Sequence, residues 1–182
     1  TVTLASSASS IAENAGSSLT LTATLSVATT ADVTVSITPS GTATEGTDYG
    51  TISDITISAG DTTGTTSFTP TDDSTYEGDE TAIVAITGVS GGSASESGTQ
   101  SVTLTITEDD SAPTVTLASS ASSIAENAGS SLTLTATLSG VADEAVTVSL
   151  TPTGTGTEGT DYGTISDITI SAGSTTGTTS FT

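Results

Sequence analysis

Apolar residues alternate with threonine and serine along most of this chain. Single threonines separate Leu19, Leu21, Ala23 and Leu25, for example. This period of two predicts β-strands that bury one face and expose the other, and no stretch shows the period of a helix. Seven such runs lie within the first 110 residues, at Val2–Leu4, Leu19–Leu25, Val33–Ile37, Ile55–Ile57, Thr63–Thr69, Ala82–Ile86 and Val102–Ile106.

Seven short strands in about 110 residues are typical of a two-sheet sandwich. We therefore predict an all-β fold, an immunoglobulin-like sandwich of seven antiparallel strands. Glycine-rich stretches at Gly41–Gly50 and Gly88–Gly98 indicate loops. A disordered Thr/Ser-rich stalk is the alternative, and the regular alternation argues against it because a chain that buries nothing has no need of such a pattern.

The chain contains an internal repeat. Thr1–Thr69 recurs as Thr114–Thr182, and 59 of these 69 residues are identical. Six of the differences lie where Val27–Asp32 aligns with Gly140–Ala145, as expected for an exposed hairpin tip. We predict tandem sandwiches, a first over residues 1–110 and a second over 114–182, joined by a short linker at 111–113. The second is expected to be incomplete, because it has no counterpart of the last two strands.

The charge of the chain is entirely negative. Its 182 residues include 21 acids, no Lys, Arg or His and no Cys, so the formal net charge is −21. Nucleic acids and anionic membranes are excluded as partners, since both need basic groups. No run of membrane-spanning length occurs. Only carboxylates remain for acid–base chemistry, so we do not expect an enzyme. The composition indicates a secreted or surface-displayed bacterial protein.

The acids are concentrated in two stretches. Thr71–Glu80 and Glu108–Asp110 together hold eight of the 21 carboxylates, and acids avoid the centres of the predicted strands. Because alternate loops of an antiparallel sandwich emerge at the same end, these stretches can share one pole with Glu13 and Asp48. Close carboxylates repel by about 1 kcal/mol per pair even in water, so their convergence predicts a cation site. Calcium fits an all-oxygen site, and magnesium is possible. Zinc and copper prefer His or Cys ligands, which the chain does not contain.

Four motifs, taken in order and spacing, resemble the Calx-beta domain: Ile11–Gly16, Gly41–Tyr49, Asp72–Glu80 and Thr105–Asp110. The resemblance covers the whole first repeat and the available part of the second. It implies a seven-stranded sandwich of a family found as calcium sensors in sodium–calcium exchangers, in an integrin cytoplasmic region, and as tandem arrays in extracellular adhesion proteins.

The resemblance also implies which residues bind calcium. The fifth-to-sixth connection supplies three acids and one backbone carbonyl, that of Thr75, and Glu108 stands where the sensors have Asp. In the second repeat only two ligands have counterparts. The implied ligands are Glu13, Asp48, Asp73, Thr75, Glu77, Glu80, Glu108, Asp109 and Asp110 in the first repeat, and Glu126 and Asp161 in the second.

These observations favour an extracellular structural or adhesive module, a rod of tandem sandwiches stiffened by calcium. The acidic run Glu108–Asp110 directly precedes the linker Ser111–Pro113, where a bound ion would restrict the junction. Expected partners are neighbouring copies arranged head to tail and a cell-surface or matrix target. Two alternatives stay open: a calcium-sensing regulatory module, and a filament subunit whose second sandwich is completed by strands from a neighbouring chain.

Overall fold

The structure is a computed structural model that describes residues 1–182, and it consists of β-strands and their connections. The predicted all-β fold is confirmed. The structure contains no helix that is long and apolar enough to cross a membrane. The chain divides into two compact units, one formed by Thr1–Asp73 with Gly78–Asp109, the other by Ser74–Glu77 with Asp110–Thr182.

Fifteen strands are present. In chain order they are β1 (Val2–Ser6), β2 (Ser10–Ala12), β3 (Leu19–Leu25), β4 (Val33–Gly41), β5 (Ile55–Ile57), β6 (Thr63–Phe68), β7 (Thr75–Tyr76), β8 (Glu80–Ser90), β9 (Ser101–Thr107), β10 (Val115–Ser119), β11 (Leu132–Leu138), β12 (Val141–Ala142), β13 (Val146–Val148), β14 (Ile168–Ile170) and β15 (Thr176–Phe181).

Two sheets form the first unit. One has three strands in the order β1-β3-β6, and the other has five in the order β2-β9-β8-β4-β5. Neighbours are antiparallel, except that β2 runs parallel to β9. The alternating apolar residues fill the space between the sheets, as the sequence predicts. The side chains that are fully buried here include Val2, Leu21, Val33, Val35, Tyr49, Ile55, Ile57, Phe68, Val84 and Leu104.

A glycine permits the close approach of β6 to β5, where the two sheets of the first unit meet. A Cβ at Gly64 would overlap the carbonyl oxygen of Thr56 and lie 2.9 Å from Cγ2 of Ile55. The second unit repeats this arrangement, since a Cβ at Gly177 would lie 2.6 Å from the Thr169 carbonyl oxygen. Any larger residue at either position would push the strands apart.

A register shift in β4 is held by a carboxylate. The register between β4 and β8 shifts between Ser36 and Ile37. Asp54 accepts a hydrogen bond from the Ile37 backbone N–H at 3.1 Å and another from the Ser36 hydroxyl at 2.9 Å. A bulge leaves backbone groups outside the ladder, and this acid satisfies one of them. No pattern in the sequence pointed to this role of Asp54.

The seven strands predicted for the first repeat are present as β1, β3, β4, β5, β6, β8 and β9. Two short strands, β2 and β7, were not predicted, because two or three residues cannot display an alternation. The predicted bounds of two loops, Gly41–Gly50 and Gly88–Gly98, were partly wrong. β4 continues to Gly41 and β8 to Ser90, since the two strands pair along that whole length and pairing overrides the glycines.

The second unit has a smaller core. Its sheets are β10-β11-β15, β13-β14 and the parallel pair β12-β7. Ser74–Glu77 group with this unit because Thr75 and Tyr76 pair with Val141 and Ala142, although they precede residue 110 in the chain. Its buried cluster consists of Ala136, Leu138, Ile168 and Ile170.

Candidate metal centre

Glu13 is positioned by the short parallel strand β2. The pairing of β2 with β9 runs from Ser10 opposite Thr105 to Ala12 opposite Thr107. The Glu13 backbone N–H then donates to the Thr107 carbonyl oxygen at 3.0 Å. Glu13 therefore comes directly beside the residue that follows β9, which is Glu108.

Backbone N–H groups and one side-chain amide hold the acids after β9. Gly78 donates its N–H to Glu108 Oε2 at 2.8 Å, and Asp109 donates its own N–H to Glu108 Oε1 at 2.9 Å. Glu108 in turn donates its backbone N–H to Asp79 Oδ1 at 3.0 Å. The Asn14 amide donates to Asp109 Oδ2 at 2.5 Å. These bonds fix the carboxylates without neutralising their charge.

Three carboxylates converge at this point. One oxygen from each of Glu13, Glu108 and Asp109 lies within 4.8 Å of the others. Calcium binds oxygens at about 2.3–2.6 Å, so two oxygens on the same ion lie at most about 5 Å apart. The three acids are thus close enough to share one ion, and the chain offers no Lys, Arg or His to take its place. We call this group the first acid cluster.

The burial of Glu13 makes the first acid cluster electrostatically unfavourable without a cation. Glu13 is only 5% exposed. Burial raises the pKa of Glu13 above its usual 4.5, and the negative charges of Glu108, Asp73 and Asp109 raise it further. A hydrogen bond from the Asp73 backbone N–H to Glu13 Oε1, at 3.1 Å, lowers that pKa but does not cancel the rise.

Asp48 is held by the turn that precedes it. Its carboxylate accepts the Thr44 backbone N–H at 2.5 Å, and its backbone N–H donates to the Thr44 carbonyl oxygen at 3.0 Å. The side chain is 8% exposed, and one of its oxygens lies within 4.8 Å of a Glu80 carboxylate oxygen. Asp48 and Glu80 therefore form a second acidic location, which we call the Asp48–Glu80 pair.

Tyr49 is a core residue that lies near the Asp48–Glu80 pair. It is 1% exposed, and its ring packs on that of Phe68 with centroids 4.8 Å apart. Burial raises the pKa of the Tyr49 phenol, and the carboxylates of Glu45, Asp48 and Glu80 raise it further. The aromatic pair is therefore a buried apolar contact close to these acids.

The two acidic locations lie at the same end of the first unit. Thr71 donates its N–H to the Asp48 carbonyl oxygen at 2.9 Å, and Asp73, two residues later, donates to Glu13. Glu80 begins β8 opposite Ile106, two residues before Glu108. The structure thus brings together five of the acids implied by the resemblance: Glu13, Asp48, Glu80, Glu108 and Asp109.

The remaining implied ligands differ in exposure and in the unit to which they belong. Asp73 is exposed and meets Glu13 through its backbone. Thr75, Glu77 and Asp110 are half-buried and group with the second unit. Glu126 and Asp161, the counterparts of Glu13 and Asp48, are both exposed, and no group of three acids with neighbouring oxygens includes either of them. Asp161 still accepts its turn N–H, that of Thr157, at 2.7 Å.

Two residues that contact the first acid cluster, Asn14 and Asp79, were not predicted from the sequence. Neither Asn14 nor Asp79 was among the implied ligands, although Asp79 lies inside the acidic stretch Thr71–Glu80. The signal for Asp79 was its position between Glu77 and Glu80. No sequence signal pointed to the Asn14 amide, since its contact with Asp109 depends on the parallel pairing of β2 with β9.

Comparison with known proteins assigns the family. The Calx-beta domain model matches residues 1–110 and 108–176. No curated protein sequence matches the chain. Among solved structures, the calcium binding domain CBD12 of CALX1.1 aligns with a TM-score of 0.50 at 17% identity, covering 97% of this chain and 74% of that one.

Two further crystal structures also align. CBD12 from CALX1.2 gives a TM-score of 0.48 at 20% identity, covering 94% of this chain and 71% of that one. The apo-form Calx CBD1 domain gives 0.47 at 20% identity, covering 60% and 98%. The family-model match spans most of the sequence. This chain belongs to the Calx-beta domain family.

Proposed function

We propose that this chain is a calcium-binding structural module of an extracellular protein. The observation that carries the proposal is the first acid cluster, in which Glu13, Glu108 and Asp109 present oxygens within 4.8 Å of one another. With no basic residue in the chain, only a cation from solution can compensate these charges. The proposed role is binding and mechanical rather than catalytic.

Calcium is the ion that suits these donors best. The cluster offers only oxygens, and calcium takes six to eight of them in flexible geometry. Magnesium needs a tighter octahedron and retains its waters, while zinc and copper favour His or Cys, which the chain does not contain. The aligned structure from CALX1.1 is that of a calcium binding domain, which agrees with this choice.

The ligand set we propose is the one that the family resemblance implied. The first acid cluster would hold one ion, and the Asp48–Glu80 pair would contribute to a further ion. The complete proposed set for the first repeat is Glu13, Asp48, Asp73, Thr75, Glu77, Glu80, Glu108, Asp109 and Asp110, with Glu126 and Asp161 as the corresponding ligands of the second.

Calcium bound at Glu108–Asp110 would stiffen the chain where the repeats join. Only Ser111–Pro113 and Thr114 separate these acids from β10. Proline restricts both its own backbone and that of the preceding residue, so little freedom remains there once the acids are fixed. We therefore propose a calcium-rigidified rod whose partners are neighbouring copies of the repeat and a cell-surface or matrix target.

The first experiment is a thermal melt in calcium and in chelator. Ligand at about 100 times its Kd adds roughly 2.7 kcal/mol to the stability of the folded state. We expect calcium to raise the melting temperature, magnesium to raise it less, and Glu108→Gln to reduce the calcium effect. Asp61→Ser is the matched control, since it removes one exposed carboxylate and introduces the residue that the second repeat carries as Ser174.

An unchanged melt in calcium at physiological salt would contradict the calcium proposal, as would an equal response of Asp61→Ser and Glu108→Gln. Small-angle scattering separates a rod from a sensor. A rod should show a narrower distribution of particle dimensions in calcium than in chelator. A sensor should instead change its mean dimensions without narrowing that distribution, and this result would overturn the rod.

A further inference from the structure

The chain has few side chains that can donate an N–H group. It contains no Lys, Arg, His or Trp, so the side-chain N–H donors are the amides of Asn14, Asn127 and Gln100. The Gln100 amide donates to the backbone carbonyl oxygen of Ser97 at 2.7 Å. The Asn14 amide instead donates to Oδ2 of Asp109, in the first acid cluster, at 2.5 Å. One of these three donors is therefore placed on a proposed metal ligand.

The contact of Asn14 with Asp109 continues the pairing of β2 with β9. The parallel ladder ends with Ala12 opposite Thr107. Continued by two residues, the same register places Asn14 opposite Asp109, and the hydrogen bond from amide to carboxylate forms at that position. The side-chain contact thus extends the pairing beyond the ladder and holds the residues after β2 and after β9 in one register.

Asp109 is a ligand that needs to be held in place. Its side chain is exposed, and the negative charges of Asp109 and Glu108 both raise the pKa of Glu13, which reflects the repulsion among the three carboxylates. Repulsion of this kind favours rotation of an exposed carboxylate away from its neighbours and into water. The hydrogen bond from Asn14 opposes that rotation.

An amide suits this role because it carries no charge. A lysine or arginine at residue 14 would also hold Asp109, but its positive charge would compensate the cluster and leave less attraction for a metal ion. The neutral amide leaves the carboxylate its full charge. Because a carboxylate oxygen has two lone pairs, Asp109 can accept the amide N–H and still bind an ion.

We propose that Asn14 is a positioning residue of the calcium site, an inference that rests on the function proposed above. Its amide keeps the Asp109 carboxylate directed towards Glu13 and Glu108 while no ion is bound. Asn14 acts through Asp109 and does not contact the ion itself. Hydrogen-bond partners of metal ligands orient those ligands, and the loss of such a partner weakens metal binding.

The first test is a heteronuclear NMR spectrum of the isotope-labelled chain in chelator. It should contain three side-chain amide signals, and the variants Asn14→Ala and Asn127→Ala assign two of them. We expect the Asn14 amide to resonate away from the position of a free amide, and Asp109→Ala should return it to that position. The Asn127 amide is the internal control, because the second repeat contains no counterpart of Asp109, and its signal should not move.

The second test measures calcium affinity by competition with a chromophoric chelator. Asn14→Ala should weaken the tightest calcium site by about three- to tenfold, a modest loss for the partner of a metal ligand, because the hydrogen bond is exposed. Asn127→Ala makes the same change one repeat later and should alter this affinity by less than about twofold. Asn14 is exposed, so the variant should fold as the parent chain does.

A free-amide signal for Asn14 in chelator would overturn the inference, and so would equal calcium affinities of Asn14→Ala and the parent chain. Equal losses in Asn14→Ala and Asn127→Ala would overturn it as well, because they would reflect a general effect of the substitution. A parent chain that binds no calcium would refute the proposed function and this inference together. Calcium binding by the parent chain with an unperturbed Asn14 signal would refute the inference alone.

Discussion

At the scale of single residues, Glu13 places a carboxylate at a buried position, and the proposed site depends on compensating its negative charge. A carboxylate at 5% exposure loses most of its hydration, and three neighbouring acids add repulsion. Both effects favour the protonated form, so the folded state holds this proton more tightly than the unfolded state does. In the absence of a cation the stability contributed by Glu13 is therefore complete below its usual pKa of 4.5 and is lost as the pH rises through its raised value.

The raised pKa of Glu13 predicts how the variant Glu13→Gln should behave. In chelator at neutral pH the variant should melt at a higher temperature than the parent chain, because the unfavourable buried charge is gone. Below the usual pKa the difference should disappear. In saturating calcium the order should reverse, since an amide oxygen is a weaker ligand than a carboxylate. Differential scanning calorimetry in chelator at several pH values and in calcium measures these three differences in melting temperature.

Glu45→Gln provides the comparison, because Glu45 is exposed, accepts only the Ile52 N–H and lies outside the first acid cluster. Its melting temperature should not cross that of the parent chain between chelator and calcium. A Glu13→Gln variant that is destabilised equally in both conditions would show a purely structural role for this side chain.

The positions of the acids in this site could be predicted from the sequence better than the hydrogen bonds that hold the local structure in place. Charges that avoid strand centres must lie in loops, and strand parity places alternate loops at one end, so the convergence of Glu13 and Asp48 with the acids after β9 could be predicted. The amide of Asn14 and the carboxylate of Asp54 could not, because each serves a backbone or side chain that only tertiary pairing brings close.

At the scale of elements, hydrophobic alternation predicts a strand but not its partners. The long runs were found, whereas β2 is three residues long and exists because β9 offers it a ladder. Its parallel direction is also invisible in a local pattern. The same limit applies to β8, which continues through Gly88 because β4 pairs with it there.

Glycines in strands are a second feature of this scale, and Gly64 gives a prediction. Gly64→Ala should destabilise the first unit by about 1–3 kcal/mol, because the new methyl group would overlap the Thr56 carbonyl and force β6 away from β5. For a unit of this size, about 1 kcal/mol corresponds to a shift of roughly 4–8 °C in melting temperature. The shift should be the same in calcium and in chelator.

Gly88→Ala is the matched control for this prediction. Gly88 also lies in a strand, but the nearest atom to an added Cβ is Ser36 Cβ at 3.8 Å, an ordinary packing distance. This variant should melt within a few degrees of the parent chain. Equal losses for both variants would mean that the general cost of replacing a strand glycine, rather than the contact of β6 with β5, is being measured.

At the scale of the whole molecule, the two units are unequal in their cores. The first has a cluster of 21 buried apolar residues, and the second has four. Burial of apolar surface is the main stabilising contribution to folding, so the second unit, which here has no counterparts of β8 and β9, should be the weaker one.

Calorimetry of the full chain should accordingly show two transitions in calcium. The lower one belongs to the second unit and the higher one to the first. Adding chelator should lower the higher transition more than the lower one, because Glu126 and Asp161 do not form a group of three close acids and would hold an ion more weakly. Leu21→Ala and Leu134→Ala, at equivalent positions of the repeat, assign the transitions. A single transition that chelator shifts as a whole would contradict this assignment.

Tyr49, which lies near the Asp48–Glu80 pair, supplies an optical reporter of ion binding. Burial raises the pKa of Tyr49, and the negative charges of Glu45, Asp48 and Glu80 raise it further. A divalent ion among those carboxylates would offset their effect and bring its alkaline titration to lower pH, and phenolate absorbance would record the change in a Tyr76→Phe, Tyr162→Phe background. A titration curve that calcium does not displace would place the ion elsewhere. The buried ring thus makes occupancy of the acids behind it readable without any added dye.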